Sequence, residues 1–127
     1  MKLGTPTTWL RLAAVSGALA VAIGAFGAHG LKTLLAENGT TATFQTAAAY
    51  HLTHTLAMLV PQARRHHGLA ACHFFALGIF FFSGSLYTLA VFNLRWMGAV
   101  APIGGTAFIL GWLWLAKTAG EPSQENT

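Results

Sequence analysis

Charge is what this sequence has least of. Only 8 % of its 127 residues are Asp, Glu, Lys or Arg, whereas ordinary soluble domains carry roughly 25 %. Aspartate is absent altogether, and the charges that are present comprise seven basic and three acidic residues. A soluble protein of this size needs a charged surface over its core, and so few charges cannot supply one. The composition therefore excludes a soluble globular enzyme, a disordered chain and a nucleic-acid-binding module.

Motifs of catalysis are missing as well. The sequence has no nucleophile triad, no phosphate-binding loop and no HExxH zinc motif. The glycine-containing run at 24–30 has no preceding strand, so it is not a nucleotide-binding motif. The single cysteine, Cys72, allows no internal disulfide. We expect a protein that is not an enzyme and that has no catalytic residues, no cofactor and no metal ion.

Apolar residues, by contrast, are abundant. They make up 54 % of the chain, and the mean hydropathy is +0.56. The charges divide the chain into four uncharged stretches of 20 to 29 residues. A helix needs about 20 residues to cross a hydrocarbon core of ~30 Å, so each stretch is long enough for one crossing and too short for two. We predict one all-α membrane domain over 1–127, an integral membrane four-helix bundle with spans at 9–29, 44–61, 68–92 and 96–116 and a disordered tail at 119–127.

The second predicted span is unusually polar. At about 100° per residue, Thr46, Tyr50, Thr53 and His54 fall on one arc of the helix, and its leucines fall on the other side. Such a helix can span the membrane if the polar arc faces other helices. The alternative is an amphipathic helix in the membrane interface, which usually carries Lys or Arg on its polar face, and this one has neither. We favour the span, with Tyr50, Thr53 and His54 as candidate intramembrane functional residues.

The basic residues predict the orientation. With four spans, one side of the membrane receives five Lys and Arg residues, and the other side receives two. The first group is Lys2, Arg11, Arg64, Arg65 and Lys117, and the second is Lys32 and Arg95. Cytoplasmic segments carry the excess, so both termini are predicted to be cytoplasmic. We expect the first span to be retained, because its apolar run of about 20 residues exceeds the roughly 7–15 of a cleaved signal peptide.

Several smaller patterns predict local structure. In the first span, small residues repeat every four positions and indicate a helix–helix contact face. They are Ser16, Ala20, Gly24 and Ala28. Residues 31–37 predict a short amphipathic helix that Asn38 and Gly39 terminate. In the fourth span, Pro102 predicts a kink or a local loosening near the outer end. Aromatic belts at the membrane surfaces are expected to include Trp96, Trp112 and Trp114.

Histidines are the ionisable residues of the uncharged stretches, and such groups inside a membrane are functional candidates by default. His29 could bind a lipid headgroup or a metal ion, or its ring could bond the free carbonyls at the end of the first span. His51 and His54 could be two metal ligands or neutral groups that hydrogen-bond across helices, and we favour the second. His54 and His73 have similar predicted depths, which permits a bis-histidine haem. The small residues of the first span argue against haem, because they favour close packing.

Four stretches of the chain resemble a known family. They are GAFGAHGLK at 24–32, FQTA at 44–47 with Tyr50 and His54, FSGSLY at 82–87, and Gly98 with PIGG at 102–105. Together they resemble the domain-of-unknown-function 423 family, small membrane proteins that include the transmembrane protein 256 group, over about residues 9–116. The resemblance implies a multi-pass protein of the bacterial inner membrane and no particular biochemical activity. His51 departs from the family pattern, which often has Gln after the Tyr.

Three functions are compatible with these patterns. The leading one is a non-enzymatic structural or accessory membrane component, in contact with the lipid bilayer, that acts as a homo-oligomer or with another membrane protein. The second is an oligomeric transporter or channel for a small solute, lined by Thr46, Tyr50, Thr53 and His54. The third is a redox protein with a cofactor held by His54 and His73. No nucleic-acid partner is expected.

Overall fold

A computed structural model describes residues 4–61 and 65–121, and the regular structure in these ranges is entirely helical. The all-α prediction is confirmed for them. Six α-helices follow one another: α1 Pro6–Ala28, α2 Lys32–Asn38, α3 Thr41–Ala57, α4 Arg65–Gly78, α5 Gly84–Phe92 and α6 Ala101–Thr118. A π-helical segment, Ile79–Ser83, joins α4 to α5, and a 3-10 turn, Arg95–Ala99, precedes α6. Lys2, Arg64 and most of the predicted disordered tail lie outside the described residues.

The ends of α1 and α2 follow from local sequence. The Thr5 hydroxyl accepts a hydrogen bond from the Thr8 N–H at 3.3 Å, and Pro6 occupies the first turn, where its missing N–H leaves no bond unmade. The predicted short helix is confirmed as α2, and Gly39 ends it in the left-handed region at φ 67°. A residue without a Cβ adopts that conformation at no steric cost.

The turn between α2 and α3 caps the end of α5. The Asn38 side-chain amide and the Thr40 hydroxyl both donate to the Ala90 carbonyl, at 3.1 and 2.7 Å. Arg95 then donates to the Asn38 carbonyl at 2.9 Å. The last carbonyls of a helix have no partner within it, and here a neighbouring turn supplies one. These bonds hold the N-terminus of α3, at Thr41, beside the C-terminus of α5.

The π-helical segment lies in close contact with α6. A Cβ placed on Gly104 would fall on the backbone nitrogen of Phe82. From the other side, the Ser83 hydroxyl donates to the Ala47 carbonyl of α3 at 2.8 Å. The segment is therefore held between α6 and α3.

Pro102, where the sequence predicts a kink or a local loosening of the fourth span, lies just after a change from 3-10 to α-helical geometry. Residues 95–99 form a 3-10 turn and α6 begins only at Ala101, so Pro102 lies in the first turn of the helix. In that position its missing N–H has no partner within α6 to lose.

Three described segments are long and apolar enough to cross a membrane. They are Pro6–Ala28, Gly68–Phe92 and Arg95–Thr118, and they correspond to the first, third and fourth predicted spans. The segment α3 is not among them, because it has 17 residues and carries several polar side chains. The fourth crossing, the four-helix bundle and the orientation of the termini therefore stay predictions.

Two clusters of buried apolar residues form the core. The larger one joins the beginnings of α1 and α4 to the end of α3 and to α6. It comprises Trp9, Ala13, Ala57, Met58, Leu69, Ala71, Cys72, Phe75 and Phe108. The smaller one joins α2, the beginning of α3 and the end of α5, through Leu35, Phe44 and Ala90. The N-terminal part of α3 thus packs with α2 and α5, whereas its C-terminal part packs with α1, α4 and α6.

The contact face of α1 coincides with the predicted stripe of small residues only in part: Ala20 is buried and Ser16 bonds residues of α3. Buried positions after Trp9 are Ala13, Ala20 and Gly27, which repeat every seven residues, and Ala28 is exposed. A four-residue repeat drifts around a helix by about 40° per step, whereas a seven-residue repeat stays close to one face. Gly27 is needed there because its position lies directly against the ring of Phe44.

Candidate functional site

His54 is buried among aromatic rings between α3 and α6, with 4 % of its surface exposed. Its ring stacks on Phe108 with centroids 3.6 Å apart and planes inclined by 15°. Nδ1 donates to the Tyr50 carbonyl at 2.8 Å, and Nε2 accepts a hydrogen bond from the Trp112 indole N–H at 3.1 Å. The predicted hydrogen bonding across helices is therefore observed, and the Trp112 indole, expected in an aromatic belt, is the donor.

These partners determine the protonation state of His54. A carbonyl only accepts hydrogen bonds and an indole N–H only donates them. Nδ1 therefore carries the proton and Nε2 has none, so the ring is neutral. A metal ion or haem iron on Nε2 would have to displace Trp112.

His73, the second residue of the hypothetical haem pair, has a different environment. Its ring lies edge-on to Trp9 at 4.6 Å, its Nδ1 donates to the Leu69 carbonyl at 3.1 Å, and the side chain is exposed. The structure thus gives His54 and His73 separate partners on α6 and α1. Within residues 4–61 and 65–121, no group of three or more His, Cys, Asp or Glu side chains is placed to hold a metal ion.

The predicted polar arc of α3 is divided by the fold. His54 points inwards, whereas Thr46 and Thr53 lie on the exposed side of the helix. Tyr50 lies at the border: its ring packs against Phe82 with centroids 4.7 Å apart, and 44 % of the residue is exposed. The Thr46 hydroxyl bonds the Ala42 carbonyl of its own helix at 3.0 Å. The other two hydroxyls have no hydrogen-bond partner in the described part of the chain.

His29 lies at the end of α1, but its ring does not close the helix. The backbone N–H of His29 bonds the carbonyls of Ala25 and Phe26 at 3.2 and 3.3 Å, and the side chain is exposed. The main chain thus provides the bonds that were expected from the imidazole. A headgroup or metal at His29 stays a prediction.

A second polar cluster, centred on His51, links α1, α3 and α5. Its Nε2 is 3.1 Å from the Ser16 hydroxyl, and its Nδ1 is 3.1 Å from the Tyr87 hydroxyl. The Ser16 hydroxyl is in turn 2.7 Å from that of Thr55. Each partner is a hydroxyl group, which can donate or accept, so the chain of bonds can run in either direction. His51 is 5 % exposed, and the arrangement satisfies both of its ring nitrogens.

A cleft of about 640 Å³ opens beside this cluster, between α1 and the π-helical segment with α5. Its walls are apolar and include Leu12, Val15 and Leu19 from α1, opposite Phe80 and Phe81. Its polar lining residues include Ser16, His51 and Tyr87, and none of its lining residues is charged. The cleft therefore combines an apolar entrance with hydrogen-bonding groups at a buried histidine.

The hydrogen bonding of His51 across helices, which the sequence predicts, is observed, but its partners were not predicted. The sequence places Ser16 in a stripe of small residues and gives no role to Tyr87. Nothing in the sequence pairs Ser16 with Tyr87, because they are 71 positions apart and only packing brings them together. The available signal was that His51, Thr55 and His54 recur at three- and four-residue spacings, which places them on one side of a helix.

Comparison with known proteins supports the family resemblance. Residues 23–105 match the family model described as a protein of unknown function, DUF423. The chain is 44 % identical over 110 residues to the UPF0382 inner membrane protein YgdD of Escherichia coli, covering 81 % of this chain and 82 % of that protein. It is 38 % identical over 115 residues to the UPF0382 membrane protein YwdK of Bacillus subtilis, covering 85 % and 92 %.

A third relative is the UPF0382 membrane protein of Haemophilus influenzae, which is 40 % identical over 112 residues, covering 85 % of this chain and 90 % of the relative. No solved structure matches the chain. The names of the relatives and the three apolar helices confirm the predicted multi-pass inner-membrane protein. The chain belongs to the DUF423 family of membrane proteins.

Proposed function

We propose that the chain crosses the membrane four times, with α3 as the additional crossing and both termini in the cytoplasm. Support comes from the extent of α3, which reaches from Phe44 in the smaller core cluster to Ala57 in the larger one. Helix α1 covers the same distance, from Trp9 in the larger cluster to Ile23 beside the smaller one. A helix of about 26 Å is accommodated by slight local thinning of the bilayer.

Cysteine labelling tests this topology. The native Cys72 has no exposed surface, so engineered cysteines can be labelled against a silent background. With a membrane-impermeant maleimide on intact spheroplasts, Glu37→Cys should react and Gly120→Cys should react only after permeabilisation. Labelling of both variants from the same side would contradict four crossings, and the reverse pattern would contradict the orientation.

The function that the geometry favours is that of a non-enzymatic accessory component that associates with other membrane helices. The observation that carries this proposal is the exposed polar strip of α3, formed by Thr46, Tyr50 and Thr53. In hydrocarbon a hydroxyl without a partner is unfavourable, and polar side chains on transmembrane helices commonly bond a neighbouring helix. A second copy of this chain, or the helix of another membrane protein, would supply the acceptors for Tyr50 and Thr53.

Cross-linking tests the association. Thr53→Cys, treated in native membranes with a membrane-permeant benzophenone maleimide and then illuminated, should give an adduct, because the photoreactive group inserts into C–H bonds of any helix beside it. The matched control is Val21→Cys, which is 65 % exposed on α1, away from the strip. An adduct of twice the chain mass identifies a homo-oligomer, and another mass identifies a different partner. Absence of any Thr53→Cys adduct, or equal adducts from both variants, would contradict the proposal.

A further inference from the structure

We propose that the cleft between α1 and α5 binds a neutral, lipid-soluble carbonyl compound with a ring-shaped head and an apolar tail, the chemical class of the isoprenoid quinones. The Tyr87 hydroxyl donates a hydrogen bond to the carbonyl oxygen, and the tail leaves the cleft along α1. This site is separate from the polar strip of α3.

The lack of charged lining residues favours a neutral ligand in the cleft. No charged residue lines it, so a phosphate or an ammonium headgroup would find no ion-pair partner there. The exposed side chains at its rim are large and apolar: Val15, Leu19 and Phe80 are 60 %, 52 % and 72 % exposed. On two membrane-spanning helices this rim faces hydrocarbon, so the ligand enters from the lipid phase.

Hydrogen bonding in the cleft selects a ligand that accepts a hydrogen bond. His51 already satisfies both ring nitrogens with Ser16 and Tyr87. When Ser16 donates to Nε2, the ring proton is on Nδ1 and is donated to the Tyr87 oxygen. The Tyr87 proton is then unused within the described residues and can be donated to a carbonyl oxygen. A hydrocarbon chain offers no acceptor for that proton.

The size and rigidity of the cleft suit a ring-shaped head. Its volume of about 640 Å³ lies within the range of small-molecule sites, roughly 300–1,000 Å³. Phe80 and Phe81 of the π-helical segment line one wall, and such segments occur frequently at functional sites. That wall is fixed from behind, because Gly104 lies against the backbone of Phe82 and Ser83 bonds the Ala47 carbonyl.

Direct binding to the purified full chain in mild detergent tests the proposal. The probes are decylubiquinone and decylbenzene, which share the tail and differ in the carbonyl-bearing head. Decylubiquinone should bind by native mass spectrometry and titration, and its infrared carbonyl band should move to lower wavenumber. Decylbenzene should bind at least about fivefold more weakly, because it forms no hydrogen bond.

Two matched pairs of variants locate the site. Tyr87→Phe should weaken decylubiquinone binding about five- to tenfold and abolish the infrared shift, whereas Tyr50→Phe should change neither. Gly84→Leu should fill the cleft, since a Cβ there meets, apart from its own helical turn, only the Ile79 carbonyl oxygen at 3.9 Å among the described residues. Gly24→Leu is the control, because a Cβ at Gly24 meets nothing within 4 Å and the residue does not line the cleft. Helical circular dichroism verifies that each variant is folded.

The outcomes are distinct. Equal binding of the two probes, or unaltered binding by Tyr87→Phe and Gly84→Leu, would overturn the proposal and leave a cleft filled by ordinary acyl chains. A change in oligomeric mass with Gly84→Leu, without quinone binding to the wild type, would also overturn it and assign the cleft to a second copy. Neither result depends on the cross-linking of Thr53→Cys.

Discussion

Two neighbouring helix contacts in this molecule differ in how closely the backbones approach. The contact of α6 with α4 and the π-helical segment is closed, because Gly78 lies against Phe108, Gly104 against Phe82 and Gly111 against Phe75. Each helix supplies glycine where the other supplies an aromatic ring or backbone. Lipid tails are as apolar as leucine, so small residues that permit close contact decide which membrane helices pack tightly.

The contact of α1 with the π-helical segment and α5 is open. Leu12, Val15 and Leu19 on α1 are opposite Phe80 and Phe81, so both sides are bulky. Gly84 lines this cleft, but no side chain of α1 enters the space beside it. Two bulky faces hold each other apart, and the space that remains is the cleft beside His51. One continuous helical segment, Gly68–Phe92, thus packs closely against α6 on one side and leaves a ligand-sized cleft against α1 on the other.

We expect the largest difference between the two contacts when one glycine in each is replaced by alanine and the free energies of unfolding are compared. Gly104→Ala places a Cβ on the backbone of Phe82, which cannot rotate away, so we expect a loss of about 2–3 kcal/mol or more in the free energy of unfolding. Gly84→Ala meets only the Ile79 carbonyl oxygen at 3.9 Å, and alanine favours helix by up to about 1 kcal/mol, so stability should be equal or higher. Unfolding in detergent, followed by circular dichroism, measures both. Similar losses for the two variants would refute the distinction.

A smaller effect is expected from the bond between His54 and Trp112. In a double-mutant cycle with His54→Leu and Trp112→Phe, the coupling energy should be about 1–1.7 kcal/mol, at the upper end for membrane hydrogen bonds. The indole N–H only donates and has one acceptor at 3.1 Å, so removal of the imidazole leaves it without a partner in an apolar contact. Additive effects of the two substitutions would show that the bond contributes nothing to the closed contact.

The smallest effect is expected at His51 and Tyr87 in the open contact. The same cycle with His51→Leu and Tyr87→Phe should give a coupling energy of about 0.6 kcal/mol or less. The Tyr87 hydroxyl lines the cleft, so after the loss of His51 it can still donate its hydrogen bond to a ligand there. A coupling energy that exceeds the value for His54 and Trp112 would reverse this order.

Local features of the fold were predictable to different degrees. The helix α2, its termination at Gly39 and three of the apolar spans follow from short-range patterns of charge and hydropathy. The sequence does not show that α6 begins at Ala101, so the sequence placed Pro102 inside a span, whereas the structure has it in the first turn of a helix. The π-helical segment has no sequence signal of its own, and the close contact of its Phe82 with Gly104 is evident only in the tertiary structure.

The candidate site was predicted only in part. Hydrogen bonding of His54 across helices was expected, but its partner Trp112 was assigned to a membrane surface. In the folded protein α3 is oriented so that Tyr50 and Thr53 are exposed and His51 is buried. The sequence did not predict this orientation. A helical pattern gives the relative angles of side chains, but not which of two amphipathic faces will contact neighbouring helices, because in a membrane both sides meet apolar surroundings.

The sequence by itself determined the solvent, the helices and the family of this protein, because a chain with so few charges and such long apolar stretches can satisfy its backbone in lipid only as helices. The tertiary structure decided which helix contacts are closed and which polar groups meet. Those properties depend on where glycines on one helix face aromatic rings on another, as Gly104 faces Phe82, and on the long-range pairing of Ser16, His51 and Tyr87. Such pairings are set by the packing of residues far apart in the chain, for which a single sequence carries no periodic signal.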